Sequence, residues 1–181
     1  MFDALFTTTT EYKKLSHALS GKGACALFGL PASGRAQVYA ALCRQLDKPL
    51  CIVTPGEAEA TRFAADLNTL GIPAAVFPAR DYVLRPIEGT AREYEYRRLA
   101  VLGELVGGRL RAVAVPAEAL TQFTTPKEDF CANTRTLHAG DTLLRDDLLA
   151  ALFGAGYTRR AQVDGPGQFS VRGDIVDIFA P

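Results

Sequence analysis

Tryptophan is absent from this 181-residue chain, methionine occurs once and histidine twice. The histidines, His17 and His138, are far apart, and none of the four cysteines (Cys25, Cys43, Cys51 and Cys131) stands in a C-x-x-C pair. Structural zinc is held by closely spaced Cys and His ligands, so no metal site is expected. The cysteines read instead as small buried apolar thiols, Cys25 and Cys51 inside apolar strands and Cys43 on a helix. An excess of either charge is also missing, since 20 Lys and Arg balance 20 Asp and Glu. That balance removes any global pull toward nucleic acid or anionic membrane and leaves only local basic patches to consider. No apolar run approaches the roughly 20 residues of a membrane span. Residues Met1 to Phe6 lack the basic flank and long apolar stretch of an export leader, so a reducing cytoplasm is the expected setting.

What the chain does have is a regular switch of hydrophobic period. A first helix is predicted over Thr10–Leu19, then a strand at 24–28, a glycine turn and a helix from Arg35 to Leu46. The short apolar strand 50–54 stops at Pro55-Gly56, and a helix over 57–70 follows with Gly71 as its C-cap. Residues 74–77 form the next strand, halted by Pro78. After a loop over Asp81–Gly89, the capping box Thr90-Ala91-Arg92-Glu93 opens a helix to about Val106. A fourth strand, 111–115, ends at Pro116. Alternating strands and helices of this kind predict an α/β fold with a parallel sheet flanked by helices.

The turn after the first strand, Gly29-Leu30-Pro31-Ala32-Ser33-Gly34-Arg35-Ala36, has the outline of a phosphate-binding loop, G-x-x-x-x-G-K-[ST]. Its chemistry is gone. Arg35 replaces the lysine that reaches the phosphates, and a wide guanidinium does not fit where a compact ammonium sits. Ala36 replaces the hydroxyl that would hold magnesium. The same two glycines also suit an ordinary tight strand-to-helix turn. On either reading tight Mg-ATP binding is not expected, and neither is any other cofactor.

After Pro126 the pattern changes to a small α+β region read as antiparallel. Thr134–Ala139 alternates like an edge strand, a short helix is predicted over Asp146–Phe153, and Tyr157–Val163 reads as a strand. Residues 168–172 and 175–179 then pair as a hairpin across Gly173-Asp174. Two domains are therefore expected, 1–125 and 126–181.

The segment Gln168-Phe169-Ser170-Val171-Arg172-Gly173-Asp174-Ile175-Val176-Asp177-Ile178-Phe179 resembles the F-x-V-R-G-D-[IV]-[VL]-[DE]-I-F-P stretch of the excision-repair protein UvrB. It is equally similar to the UvrB-like N-terminal region of bacterial transcription-repair coupling factors. Further matches follow in order: Gly29-Leu30 with Gly34, Phe77-Pro78-Ala79 leading to Tyr82, Glu88 to Leu102, and Leu143 through Gly156-Tyr157. UvrB keeps a working G-K-T and inserts an aromatic β-hairpin after the strand equivalent to 74–77. This chain has Gly34-Arg35-Ala36 and no room for the insertion, so the resemblance favours the coupling factors.

The resemblance implies a degenerate RecA-like α/β part followed by a UvrA-binding domain that continues, with the rest of the RecA-like unit, beyond Pro181. It implies a non-enzymatic module for this stretch, with UvrA as partner. RNA polymerase and DNA would be reached through other parts of a full-length ATP-dependent translocase. Arg172 aligns with an arginine that contacts UvrA in both relatives. A strand arginine can grip a partner carboxylate in a bidentate fork, or pair internally with Asp174 or Asp177. Ser170, two residues earlier on the same strand face, stands where UvrB typically has a second arginine. Phe169, Val171 and Phe179 read as core. Leu144 occupies an N-cap where relatives often have Ser or Asp. Two other functions are weighed against docking: a UvrB-like nucleotide-binding helicase fragment, and direct DNA binding through Arg92, Arg97, Arg98, Arg109 and Arg111.

Overall fold

The computed structural model describes residues 7–21, 23–46, 48–80 and 92–181. In chain order the elements are α1 (Thr10–Ser20), α2 (Ala32–Gln45), β1 (Leu50–Thr54), α3 (Glu57–Thr69), β2 (Ala74–Val76), α4 (Arg92–Val106), β3 (Ala112–Pro116), α5 (Ala117–Leu120), α6 (Lys127–Ala132), α7 (Arg145–Gly154), β4 (Thr158–Arg159), β5 (Gln168–Arg172) and β6 (Ile175–Phe179). Among the described residues the chain divides into two compact units. One comprises the residues up to 80 together with 101–122; the other comprises 92–100 with 123–181.

The first unit is a parallel sheet in the order β1-β3-β2. The central strand β3 shows why both faces need helices. Its alanines 112 and 114 point into one core with Ile52, Ala40, Phe63 and Leu67. Val113 and Val115 point the other way, into a core with Phe77, Leu110 and the half-buried Leu102 and Leu105. A strand buried on both sides reads as a continuous apolar run, which is why Ala112–Pro116 was visible in the sequence. The third core joins α1 to α2 through Tyr12, Val38, Ala41 and Leu42.

Helix α3 ends as the glycine predicted. Gly71 takes φ +75°, its N–H donates to Asn68 O, and the Ile72 N–H donates to Leu67 O. This satisfies two carbonyls the helix would otherwise leave open and places Ile72 in the same core as Leu67. The Asn68 side chain then accepts from Ala74 N and donates to Ala74 O, pinning the start of β2.

Three expectations for this unit need correction. Ala24–Phe28 forms no strand: it has no regular structure and is exposed, Phe28 at 86%. An apolar run becomes a strand only where a neighbouring edge takes its hydrogen bonds, and none does so here among the described residues. Helix α2 starts at Ala32 rather than Arg35, with Pro31 at its N-cap, so Ser33 and Gly34 already belong to the first turn. Cys25, Cys51 and Cys131 are exposed, and only Cys43 is buried. Cys51 lies on the open face of edge strand β1, and Cys25 on the unpaired run. The loop Asp81–Gly89 and the capping residue Thr90 lie outside the described residues.

In the second unit, β4-β5-β6 form a small sheet. It is mixed rather than antiparallel, because β4 runs parallel to β5 while β5 and β6 form the hairpin. Thr134–Ala139 is not a strand, and the strand expected over 157–163 shrinks to Thr158–Arg159. Alternation alone does not make a strand where no adjacent backbone pairs with it. The core is built on Phe169, which is fully buried and meets Phe153 of α7 edge-on at 5.1 Å between ring centres. Phe179, read as core, is 48% exposed at the end of β6. Helix α7 does begin at the uncapped Leu144, as its sequence implied.

Candidate partner-binding ribbon

The β5-β6 hairpin pairs Arg172 with Ile175, so only Gly173 and Asp174 make the turn. Gly173 takes φ +59°, and no non-glycine described residue has positive φ. A two-residue hairpin with positive φ at its first central position has the twist that matches the strands, and glycine supplies it without steric cost. That turn fixes the register, and the register fixes the faces.

On one face lie Phe169 and Val171 with their cross-strand neighbours Ile178 and Val176. On the other lie Ser170 and Arg172, opposite Asp177 and Ile175. Asp177 is the centre of this second face. Its Oδ2 accepts from Arg172 Nη2 at 2.6 Å and from Ser170 Oγ at 3.2 Å. The guanidinium beside it, helped by the Ser170 hydroxyl, holds its carboxyl below the ordinary aspartate range. Arg172 nevertheless keeps 70% of its side chain exposed. One amino group is engaged internally, and the rest of its five-donor fork faces outward. Ser170 is only 1% exposed, so it touches solvent scarcely at all and acts through Asp177.

Sequence reasoning missed two neighbours. Arg159 ends β4 beside β5 and Arg160 follows it; both are exposed and neither makes an ion pair among the described residues. The signal available was the doublet itself, inside a segment already read as a strand.

The remaining candidates divide clearly. Arg98 is buried and donates to Thr124 Oγ1 at 2.8 Å. Arg109 forms a two-pronged pair with Glu104, both contacts at 2.8 Å. Arg111 donates to Cys43 O at 2.6 Å and to Leu46 O, closing the C-terminal end of α2. Arg97 lies over the ring of Tyr94 at 5.9 Å. The side chain of Arg92 lies outside the described residues. Of the arginines considered for DNA, three are thus occupied within their own unit. In the phosphate-loop outline Gly29 has φ +81°, Arg35 faces Glu59 at 3.9 Å, and Ala36 is buried. No group of Cys, His, Asp or Glu suited to a metal occurs among the described residues, and no described helix is long and apolar enough to cross a membrane.

The hairpin thus presents an exposed guanidinium beside a two-residue turn. It lies within residues 136–181, which match the UvrB interaction domain. Over 155 residues the chain is 29% identical to the transcription-repair-coupling factor of Bacillus subtilis (strain 168), a match covering 84% of this chain and 13% of the relative. It is 36% identical over 159 residues to that of Mycobacterium bovis (strain ATCC BAA-935 / AF2122/97), covering 83% and 13%. For Staphylococcus aureus (strain NCTC 8325 / PS 47) the figures are 27% over 153 residues, again 83% and 13%. The resemblance to the UvrB-like region of the transcription-repair coupling factors is thereby shown, and the chain spans about an eighth of the length of these relatives (13%).

Proposed function

We propose that this chain is the N-terminal module of a cytoplasmic transcription-repair coupling factor that recruits UvrA by protein contact and does not itself hydrolyse ATP. The observation that supports docking most directly is the exposed Arg172 fork on a turn-locked hairpin, inside the residues that match the UvrB interaction domain. Asp177, tied to both Arg172 and the buried Ser170, limits the rotamers of the arginine before a partner arrives. Less side-chain entropy is then lost on binding. Arg159 and Arg160, exposed at the end of β4 and just past it, add positive charge beside the hairpin, Arg159 on the Phe169 face rather than the Arg172 face.

On this reading residues 1–125 are a degenerate RecA-like part and 126–181 the UvrA-binding part. Arg35 and Ala36, directly after Gly29 and Gly34 of the loop outline, leave it without a phosphate-gripping ammonium or a magnesium ligand. RNA polymerase and DNA are partners of the longer protein through other regions. The test has two arms. Immobilised UvrA should retain the chain and lose its Arg172→Ala variant, and calorimetry with Mg-ATP should give no heat. Equal retention of the variant would overturn the docking role, and micromolar ATP binding would overturn the non-enzymatic reading.

A further inference from the structure

The Arg172 fork stands at the end of a line of hydrogen bonds that starts inside the small sheet. Ser170 is 1% exposed, and its hydroxyl donates to Asp177 Oδ2 at 3.2 Å. The same Oδ2 accepts from Arg172 Nη2 at 2.6 Å. Exposure rises along the line, to 41% for the Asp177 side chain and 70% for that of Arg172. A buried hydroxyl thus fixes the carboxylate, and the carboxylate fixes one amino group of the guanidinium. The hairpin register keeps both contacts, since Asp177 lies directly opposite Ser170 and diagonal to Arg172.

If net charge alone drew the partner, Asp177 would be an unhelpful neighbour. Residues 168–179 carry one arginine against two aspartates, Asp174 and Asp177, so the ribbon has a net charge of −1. The Asp177 carboxyl lies below the ordinary aspartate range because of the guanidinium, so its negative charge is present at neutral pH. An ion pair this exposed contributes little to stability. What it fixes is direction. A planar guanidinium grips a carboxylate only when its donors are aligned, unlike a point charge.

We infer that Asp177 is a positioning residue for docking: anchored by Ser170, it holds Arg172 in one orientation, so that the open side of the fork receives a single carboxylate of the partner. This role rests on the docking function proposed for Arg172, and it runs against the sign expected from charge. Removing Asp177 makes the ribbon one unit more positive and yet weakens its grip. Ordering one rotamer-rich side chain on binding corresponds to about two- to twelvefold in affinity, which is the scale of what Asp177 supplies.

Binding of the 181-residue chain to immobilised UvrA is compared with that of Asp177→Ala, Asp177→Asn and Arg172→Ala. Asp177→Ala should bind about fivefold more weakly, and Asp177→Asn, which keeps an acceptor oxygen, about twofold. Raising the salt from about 0.1 M to about 0.5 M should leave these deficits no smaller, because only the opposing gain in charge is screened. The order parameter of the Arg172 Nε–H should fall in the same sequence, a change that a purely structural role would not produce. Asp177 is half-exposed on the outer strand β6, so alanine is accommodated, and asparagine matches its shape; amide spectra check both folds. Equal or tighter binding by both Asp177 variants, with Arg172→Ala still impaired, would overturn the positioning role and leave docking standing. So would a deficit that vanishes at the higher salt, or an order parameter that neither substitution moves. Full binding by Arg172→Ala would instead remove the docking function, and the positioning role with it.

Discussion

Replacing Phe169 by alanine tests the second unit at the point on which its core depends. The ring is fully buried, and apart from it only Leu152 among the described large apolar side chains of that unit is buried. Phe→Ala in a core costs about 3–5 kcal/mol, combining lost transfer energy with the cavity left behind. An edge-on aromatic pair adds about 0.5–1.5 kcal/mol beyond area burial. Phe153, the partner ring, is 56% exposed, so the pair contributes at the lower end of that range. A loss of about 3.5–5.5 kcal/mol is therefore expected, a large share of the roughly 5–15 kcal/mol that holds a domain together. With a urea slope of about 1–3 kcal/mol per molar, the unfolding midpoint should fall by about 1–5 M. Amide spectra followed through the urea series read the two units separately. Phe153→Ala is the control and should cost well under half as much. A Phe169→Ala loss below about 1 kcal/mol, or one no larger than the control, would refute this assignment of the core.

Other substitutions probe other features. Leu144→Asp supplies the missing cap of α7 and should stabilise by about 1 kcal/mol, raising the melting temperature by a few degrees; no rise would mean that Leu144 is not the capping position. Arg111→Ala removes the donor to Cys43 O and Leu46 O and should cost about 1.5–3 kcal/mol in a thermal melt, with Arg111→Lys recovering part. Asp177 has a lowered folded-state pKa, so its contribution to stability is fully present above the ordinary unfolded value of about 4 and lost as pH falls through the folded one. A carbon-13 titration of its carboxyl should give a midpoint below that value, returning upward in Arg172→Ala. A wild-type midpoint at or above the ordinary value would contradict the Arg172–Asp177 pair.

The hairpin was legible because three local features agreed on it: an alternating run over 168–172, an apolar run over 175–179, and a glycine where positive φ is needed. The helices and their glycine stops were legible for the same kind of reason. Ala24–Phe28 and Thr134–Ala139 were not, because pattern measures what a segment would bury and says nothing about whether another backbone lies beside it. The exposure of Cys25 and Cys51 follows from that same missing neighbour. Within the candidate site, Arg172 could be chosen from sequence, but the roles of Asp177 and Ser170 could not. The register sets Asp177 directly opposite Ser170 and diagonal to Arg172, which fixes the carboxylate the guanidinium meets, and the fold decides that the serine is buried. Arg159 and Arg160 come beside the hairpin only through a parallel pairing that the sequence pattern had read as antiparallel.

Arg172→Glu, measured by biolayer interferometry against immobilised UvrA with an amide spectrum taken on the same sample, tests the central claim most directly. Loss of a hot-spot arginine corresponds to about 30-fold weaker binding or more, and charge reversal should meet that threshold while the spectrum away from residues 168–179 stays unchanged. Affinity within threefold of the unsubstituted chain, with the fold intact, would contradict the account.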